Sequence, residues 1–264
     1  MTPMHKHKTI AVFAHPGHEL RCFASLQRLS AEVLYLSDAS ASSGQPRLRQ
    51  SSELLQTHGL QNIKPSLAVP DTDIYSAIMS KDHIWLSGFY RNLQQILQKK
   101  QPTLIITDSA EGYNPVHDLC HFLTVAAANT CLSPAKVMVT PLTDHPHELD
   151  GQNIADCMVL DLDECQVKVK VSAMNSYARI AGGQLADEAK TMEAEFGSGV
   201  HAREVLRPAI ELSDYFARYS QRKPHFERYG EQRVQSNKYK EILRLHPHLA
   251  FALELLAELP ECRF

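Results

Sequence analysis

The 264-residue chain is 44% hydrophobic and 22% charged, the balance of a globular protein large enough to bury a substantial core. Its net charge of -3 excludes a bulk electrostatic partner such as duplex DNA, and no apolar run approaches the ~18 residues of a membrane span. The six cysteines form no CxxC pair and the apolar run after the basic N-terminus is too short for a secretory signal, so a reduced, cytoplasmic setting is expected.

Residues 9–14 (Thr-Ile-Ala-Val-Phe-Ala) are β-branched, aromatic and small, and read as a buried strand. Pro16 and Gly17 break it, and residues 19–29 resume with helical spacing through Leu20, Phe23, Ala24 and Leu26. A second strand is expected at 32–36, a Ser/Ala/Gly-rich loop at 37–46, and a helix at 47–58 closed by Gly59. Residues 63–69 read as a third strand and Pro70-Asp71-Thr72-Asp73 as a turn. A long helix at 82–99 precedes a buried strand at 103–107, then a helix at 117–130 and a strand at 135–140. Further on, 158–160 and 167–171 are expected to form a hairpin. Helices are expected at 172–180, 184–196, 207–219 and 238–259, the last with a core stripe of Leu243, Leu245, Leu249, Leu253 and Leu256.

Strands alternating with helices imply an α/β fold with a Rossmann-like, doubly wound, mostly parallel sheet. The expected organisation is one such domain over 1–195, with 196–264 as a helical C-terminal extension packed on it. If the first strand neighbours the one at 103–107, the strand order reverses between them. The turn at His15 and the turn at His117 would then face each other across the switch point, where such sheets place their sites.

Among 14 histidines only clustered ones carry weight. His15 and His18 share a tight strand-to-helix turn, so both rings can address one ion, and His117 can supply a third nitrogen from the facing loop. Three ligands with one position left open are the pattern of a catalytic zinc site. His121, on the same helical face as His117, is a candidate fourth ligand, outer-sphere group or proton carrier. Taken singly, each histidine also has a plain reading as a polar residue at a helix start.

The stretch Ala14-His15-Pro16-Gly17-His18-Glu19 resembles the Ala-His-Pro-Asp-Asp-Glu motif of the PIG-L/LmbE-like zinc-dependent N-deacetylases. Asn114-Pro115-Val116-His117 resembles their second motif, His-Pro-Asp-His, and both fall where that family has them. Leu36-Ser37-Asp38-Ala39-Ser40, the 47–60 helix with its Leu-Gly-like cap, and Val69-Pro70-Asp71 resemble further family features, so that the likeness covers about residues 8–195. It implies a hydrolase that removes an N-acyl group from an amino sugar or related amide, with one zinc ion on His15, His18 and His117. The partner implied is a small N-acylated sugar or glycoconjugate; no nucleic acid and no membrane span are expected, and a homo-oligomer is left open.

The resemblance carries over unevenly. Gly17 stands where the family has its general base, Asn114 where it has a histidine that helps the tetrahedral intermediate, and Val116 where it has an aspartate. A relocated base is therefore sought in Asp118 first, then Glu111 and Glu19, with His121 as a further proton-transfer candidate. Asp118 and Glu19 also fit as charges favoured in a first helical turn. Asn114 and His201 are candidate oxyanion partners, and Tyr113 and Arg203 candidate substrate contacts. The alternatives are a metal-dependent enzyme of other chemistry on a carbohydrate-like ligand, and a non-catalytic metal- or ligand-binding relative. Two other clusters, 144–148 and the Arg/aromatic run 215–233, read more simply as a loop and a solvated helix flank.

Overall fold

The computed structural model describes residues 8–40, 47–64, 66–133, 135–149, 151–181 and 183–259. The basic N-terminal residues up to 7, residues 41–46 of the expected loop, and Cys262 lie outside the described residues. In chain order β1 (Thr9–Phe13) leads through a 3₁₀ turn (His18–Cys22) to α1 (Phe23–Leu29), β2 (Glu32–Tyr35), α2 (Leu48–Thr57) and β3 (Gln61–Asn62). Next come α3 (Asp71–Ser80), α4 (His83–Lys100), β4 (Leu104–Asp108), α5 (Pro115–Ala128) and β5 (Lys136–Thr140). The remainder is β6 (Met158–Asp161), α6 (Glu164–Ala181), α7 (Gly183–Phe196), β7 (Arg203–Pro208), α8 (Leu212–Arg218), α9 (His225–Gln235) and α10 (Ala250–Glu258).

These strands form one sheet in the order β3-β2-β1-β4-β5-β7-β6. The run from β3 to β5 is parallel, and β7 is antiparallel to both of its neighbours, β5 and β6. β1 pairs with β4 from Thr9↔Leu104 to Val12↔Thr107, so the order does reverse between them. β1 is buried along its whole length. Ile10 and Val12 face one apolar cluster with α3, α4, α5 and α10, while Ala11 and Phe13 face a second with α1, α2 and α6. Alternation on a strand buried on both sides is what a doubly wound sheet demands, each large apolar side chain contributing about 1.5–3 kcal/mol. Among the described residues no helix is long and apolar enough to cross a membrane.

Several expectations need correction. Residues 63–69 are not a strand: β3 ends at Asn62, and only Val69 forms a bridge, to Ser37. Pro70–Asp73 is not a free turn; Pro70 precedes α3, whose first turn carries Asp71 and Asp73 where the helix dipole favours acids. The alternating Val167, Val169 and Val171 sit inside α6 rather than in a hairpin, because β6 pairs with β7 instead and α6 buries Lys170, Ala173 and Tyr177 at helical spacing. Arg207 belongs to β7, and the following helix starts only at Leu212. The expected helix at 238–259 is absent over 238–244; a short irregular turn at Leu245–Leu249, non-helical at His246 before Pro247, leads into the regular α10. Its stripe Leu245, Leu249, Leu253 and Leu256 is nevertheless core.

Candidate metal centre

Both histidine loops lie at the carboxyl ends of neighbouring strands. After β1 the chain turns at Gly17, whose φ of +109° only glycine adopts without strain. The turn is fixed by Glu19, whose carboxylate accepts the Gly17 amide at 2.6 Å and the Ser51 hydroxyl. After β4 the chain enters α5 through Asn114, whose side-chain oxygen accepts Val116 N at 2.8 Å with Pro115 in the first helical turn. That cap sets His117 in the first turn of α5, pointing back at the β1 loop.

The rings of His15, His18 and His117 meet there. Each can offer one nitrogen such that all three atoms lie within 4.8 Å of one another. Ring centroids are 4.5–5.1 Å apart, and His117 Nε2 lies 3.1 Å from His15 Nδ1. Tetrahedral ligation at ~2.0–2.1 Å would put the nitrogens about 3.3 Å apart, so the rings need only small movements to share an ion. Burial, and then the neighbouring rings, push the His18 and His117 pKa values well below the ordinary imidazole range. Both are therefore neutral near pH 7, the form that ligates metals.

Two carboxylates stand behind the rings. Asp71 Oδ1 lies 3.1 Å from His15 Nε2. Asp108, the last residue of β4, lies 3.0 Å from His18 Nδ1 and also accepts the Ala14 amide at 2.8 Å, tying the ends of β1 and β4 together. With its Nδ1 protonated towards Asp108, His18 keeps the Nε2 lone pair; the His15–Asp71 contact is a close charge contact without hydrogen-bond geometry. Burial pushes the Asp108 carboxyl up to about 7, against the opposing effect of the Ala14 hydrogen bond. Neither acid stands out in the sequence as a functional residue. The available signals are slight: an aspartate closing the strand beside the switch point, and an aspartate after Pro70 at a helix start.

The other expected site residues are placed elsewhere. Asp118 is fully buried, with Oδ1 on Gly112 N at 3.0 Å and Oδ2 accepting the Tyr215 hydroxyl at 2.7 Å. Burial pushes its carboxyl up to about 7. Glu111 accepts the Leu142 and Thr143 amides, each at 2.8 Å, and the Thr143 hydroxyl. His121 faces two backbone carbonyls, Asp108 O at 3.0 Å and Ile210 O at 3.2 Å. Asn114 also receives the Tyr75 hydroxyl at 3.2 Å. Tyr113 stacks on His225, His201 pairs with Glu193 at 3.2 Å, and Arg203 pairs with Asp161 at 2.5 Å. The space beside Gly17, where a side chain would project, is filled by the Tyr177 ring.

Models of known protein families and curated protein sequences give no match to the chain. Solved structures do share its fold. The antimicrobial reagent A40926 pseudoaglycone deacetylase Dbv21 matches at 14% identity over 78% of this chain and 98% of its own, with a TM-score of 0.52. The conserved protein TT1542 from Thermus thermophilus matches at 19% identity over 78% and 97%, also with a TM-score of 0.52. A deacetylase in the biosynthesis pathway of teicoplanin matches at 13% identity over 75% and 96%, with a TM-score of 0.51. At these identities the likeness is one of fold.

Proposed function

We propose that the chain is a metal-dependent hydrolase that removes an N-acyl group, acetyl first of all, from an amino sugar or related amide. His15, His18 and His117 would hold one divalent ion, and zinc suits the all-imidazole donor set. The convergence of these three rings within 4.8 Å at the switch point carries this reading. Fold neighbours named as deacetylases support the reaction class. When bound, such an ion supplies a Lewis acid for the amide carbonyl and makes water more acidic.

The chain's own residues would do the rest. Asp108 orients His18 and raises its basicity as a ligand. The proton role vacated at Gly17 is assigned to Asp71. Asp71 is chosen for its place, with Oδ1 3.1 Å from His15 Nε2 beside the imidazole cluster; Glu19, Glu111 and Asp118 instead accept backbone amides and hydroxyls. Asp71 would accept a proton from the attacking water and return it to the departing amine. Asn114 is assigned to the oxyanion through its amide nitrogen, since its Oδ1 is the helix cap.

A second reading, a metal-binding relative without turnover, is favoured by the bare Gly17 and by those engaged carboxylates. Acetate release from a panel of N-acetylated sugars by metal-loaded protein separates the two. Turnover lost in His117→Ala, and reduced on the order of 10²-fold or more in Asp71→Asn with metal still bound, supports the hydrolase. Bound metal without turnover on any amide favours the second reading.

A further inference from the structure

Each histidine loop contains one glycine with positive φ, and each of those glycines is covered by one tyrosine from the C-terminal half of the chain. A Cβ on Gly17 would lie 2.9 Å from Cε1 of Tyr177, which comes from α6. A Cβ on Gly112, at φ +66°, would fall on the hydroxyl of Tyr219, at the end of α8. The two contacts differ in kind. Tyr177 is 1% exposed; its hydroxyl lies near Ser51 but makes no hydrogen bond of normal geometry among the described residues, so the ring supplies the contact on Gly17. Tyr219 donates its hydroxyl to Glu111 O at 2.5 Å.

The second loop is gripped further from the same side. Phe226 N donates to Gly112 O at 3.2 Å, the Tyr113 ring lies 4.5 Å from His225, and Tyr215 holds the Asp118 carboxylate that accepts Gly112 N. The backbone just before His117 is thus fixed by residues about a hundred positions away.

We infer that Tyr177 and Tyr219 are positioning residues of the metal centre, holding the β1 and β4 loops so that the three imidazoles already face one another before an ion arrives. This rests on the reading that those imidazoles bind metal. It assigns the C-terminal half a part in the site: among the described residues it adds nothing to the three-imidazole group, but it removes the freedom that ligation would otherwise have to suppress.

The test uses the full chain, stripped of metal and titrated with Co²⁺ against a competing chelator. Tyr219→Phe and Tyr177→Leu are each expected to bind Co²⁺ on the order of 10-fold more weakly, with a shifted d–d spectrum, the range seen when groups that orient ligands are removed. Tyr177→Phe, which keeps the ring, is expected to match the parent. Hydrogen exchange of the metal-free proteins supplies a readout that needs no ion. Exchange at 112–117 should quicken about 10-fold in Tyr219→Phe, and at 15–18 in Tyr177→Leu, while amides of β5 keep their protection. Unchanged affinity, spectrum and loop exchange in both variants, whatever their urea midpoints, would overturn the inference. A parent chain that binds no Co²⁺ would instead sink the metal reading, and the exchange data would still decide whether the tyrosines hold the loops. Should Tyr177→Leu fail to fold, Tyr219→Phe, which loses a single hydroxyl, carries the test.

Discussion

Gly17→Asp restores the carboxylate of the related motif, and in this chain it is expected to destabilise the fold rather than supply a base. Two penalties are legible in the structure. A non-glycine residue in left-handed backbone of this kind costs about 1–2 kcal/mol, and Gly17 sits at φ +109°. Its Cβ would lie 2.9 Å from a fully buried Tyr177 ring, and such overpacking costs about 1–3 kcal/mol. The expected loss is therefore about 2–5 kcal/mol by urea denaturation, before any cost of placing a second carboxylate beside buried Glu19. The cycle with Tyr177→Ala isolates the collision. Tyr177→Ala alone should cost about 3–5 kcal/mol through its cavity, yet Gly17→Asp on that background should cost about 1–3 kcal/mol less than in the parent. Gly17→Asp as stable as the parent, or equally costly with and without Tyr177, would refute the reasoning.

Other expectations follow from the same geometry. Asp108→Asn should weaken Zn²⁺ binding by about 10–100-fold, read by chelator competition, because it removes the carboxylate that orients the His18 ring. Asp118, with its carboxyl pushed up to about 7 from 3.8, holds its proton in the folded chain after the unfolded chain has lost it. It therefore favours folding fully below pH ~4 and loses that contribution as pH rises through 7. Asp118→Asn should match the parent within ~1 kcal/mol at pH 4 and exceed it by about 2–4 kcal/mol at pH 8 in metal-free urea melts. A parent equally stable across that window would contradict the assignment. Lys170→Met strands Glu204, whose carboxylate lies 2.7 Å from Lys170 Nζ and also takes the Ala24 and Ser25 amides. The loss should be about 3–5 kcal/mol, and a change under ~1 kcal/mol would mean that Glu204 is already solvated or neutral.

The sheet is readable because β1, β2 and β4 are short, almost wholly buried apolar runs, and their alternation with helices leaves little choice of topology. The histidine constellation is readable for the same reason: strand ends at a reversal of order must face one another. What stays hidden depends on distant partners. The valines at 167, 169 and 171 carry a period of two, but β7 takes the edge they would have paired with. The acids Asp118, Glu111 and Glu19 look like proton carriers beside the motifs. In the structure each accepts backbone amides that a strand end or loop leaves unpaired, a need visible only when the loops are seen together. Asp108 escapes notice for the converse reason, since little in its own segment marks an acid that faces a ring 90 residues away, and Asp71 is marked only by the Val69-Pro70-Asp71 resemblance.

Metal stoichiometry is the most direct test of the three-histidine centre. Chain purified without chelator and measured by inductively coupled plasma mass spectrometry should carry close to one divalent ion, with His15→Ala, His18→Ala and His117→Ala each reducing it to near zero while retaining the parent's secondary structure. A folded parent that takes up no divalent ion even when supplied with excess zinc, or a His117→Ala variant that keeps its full complement, would contradict it.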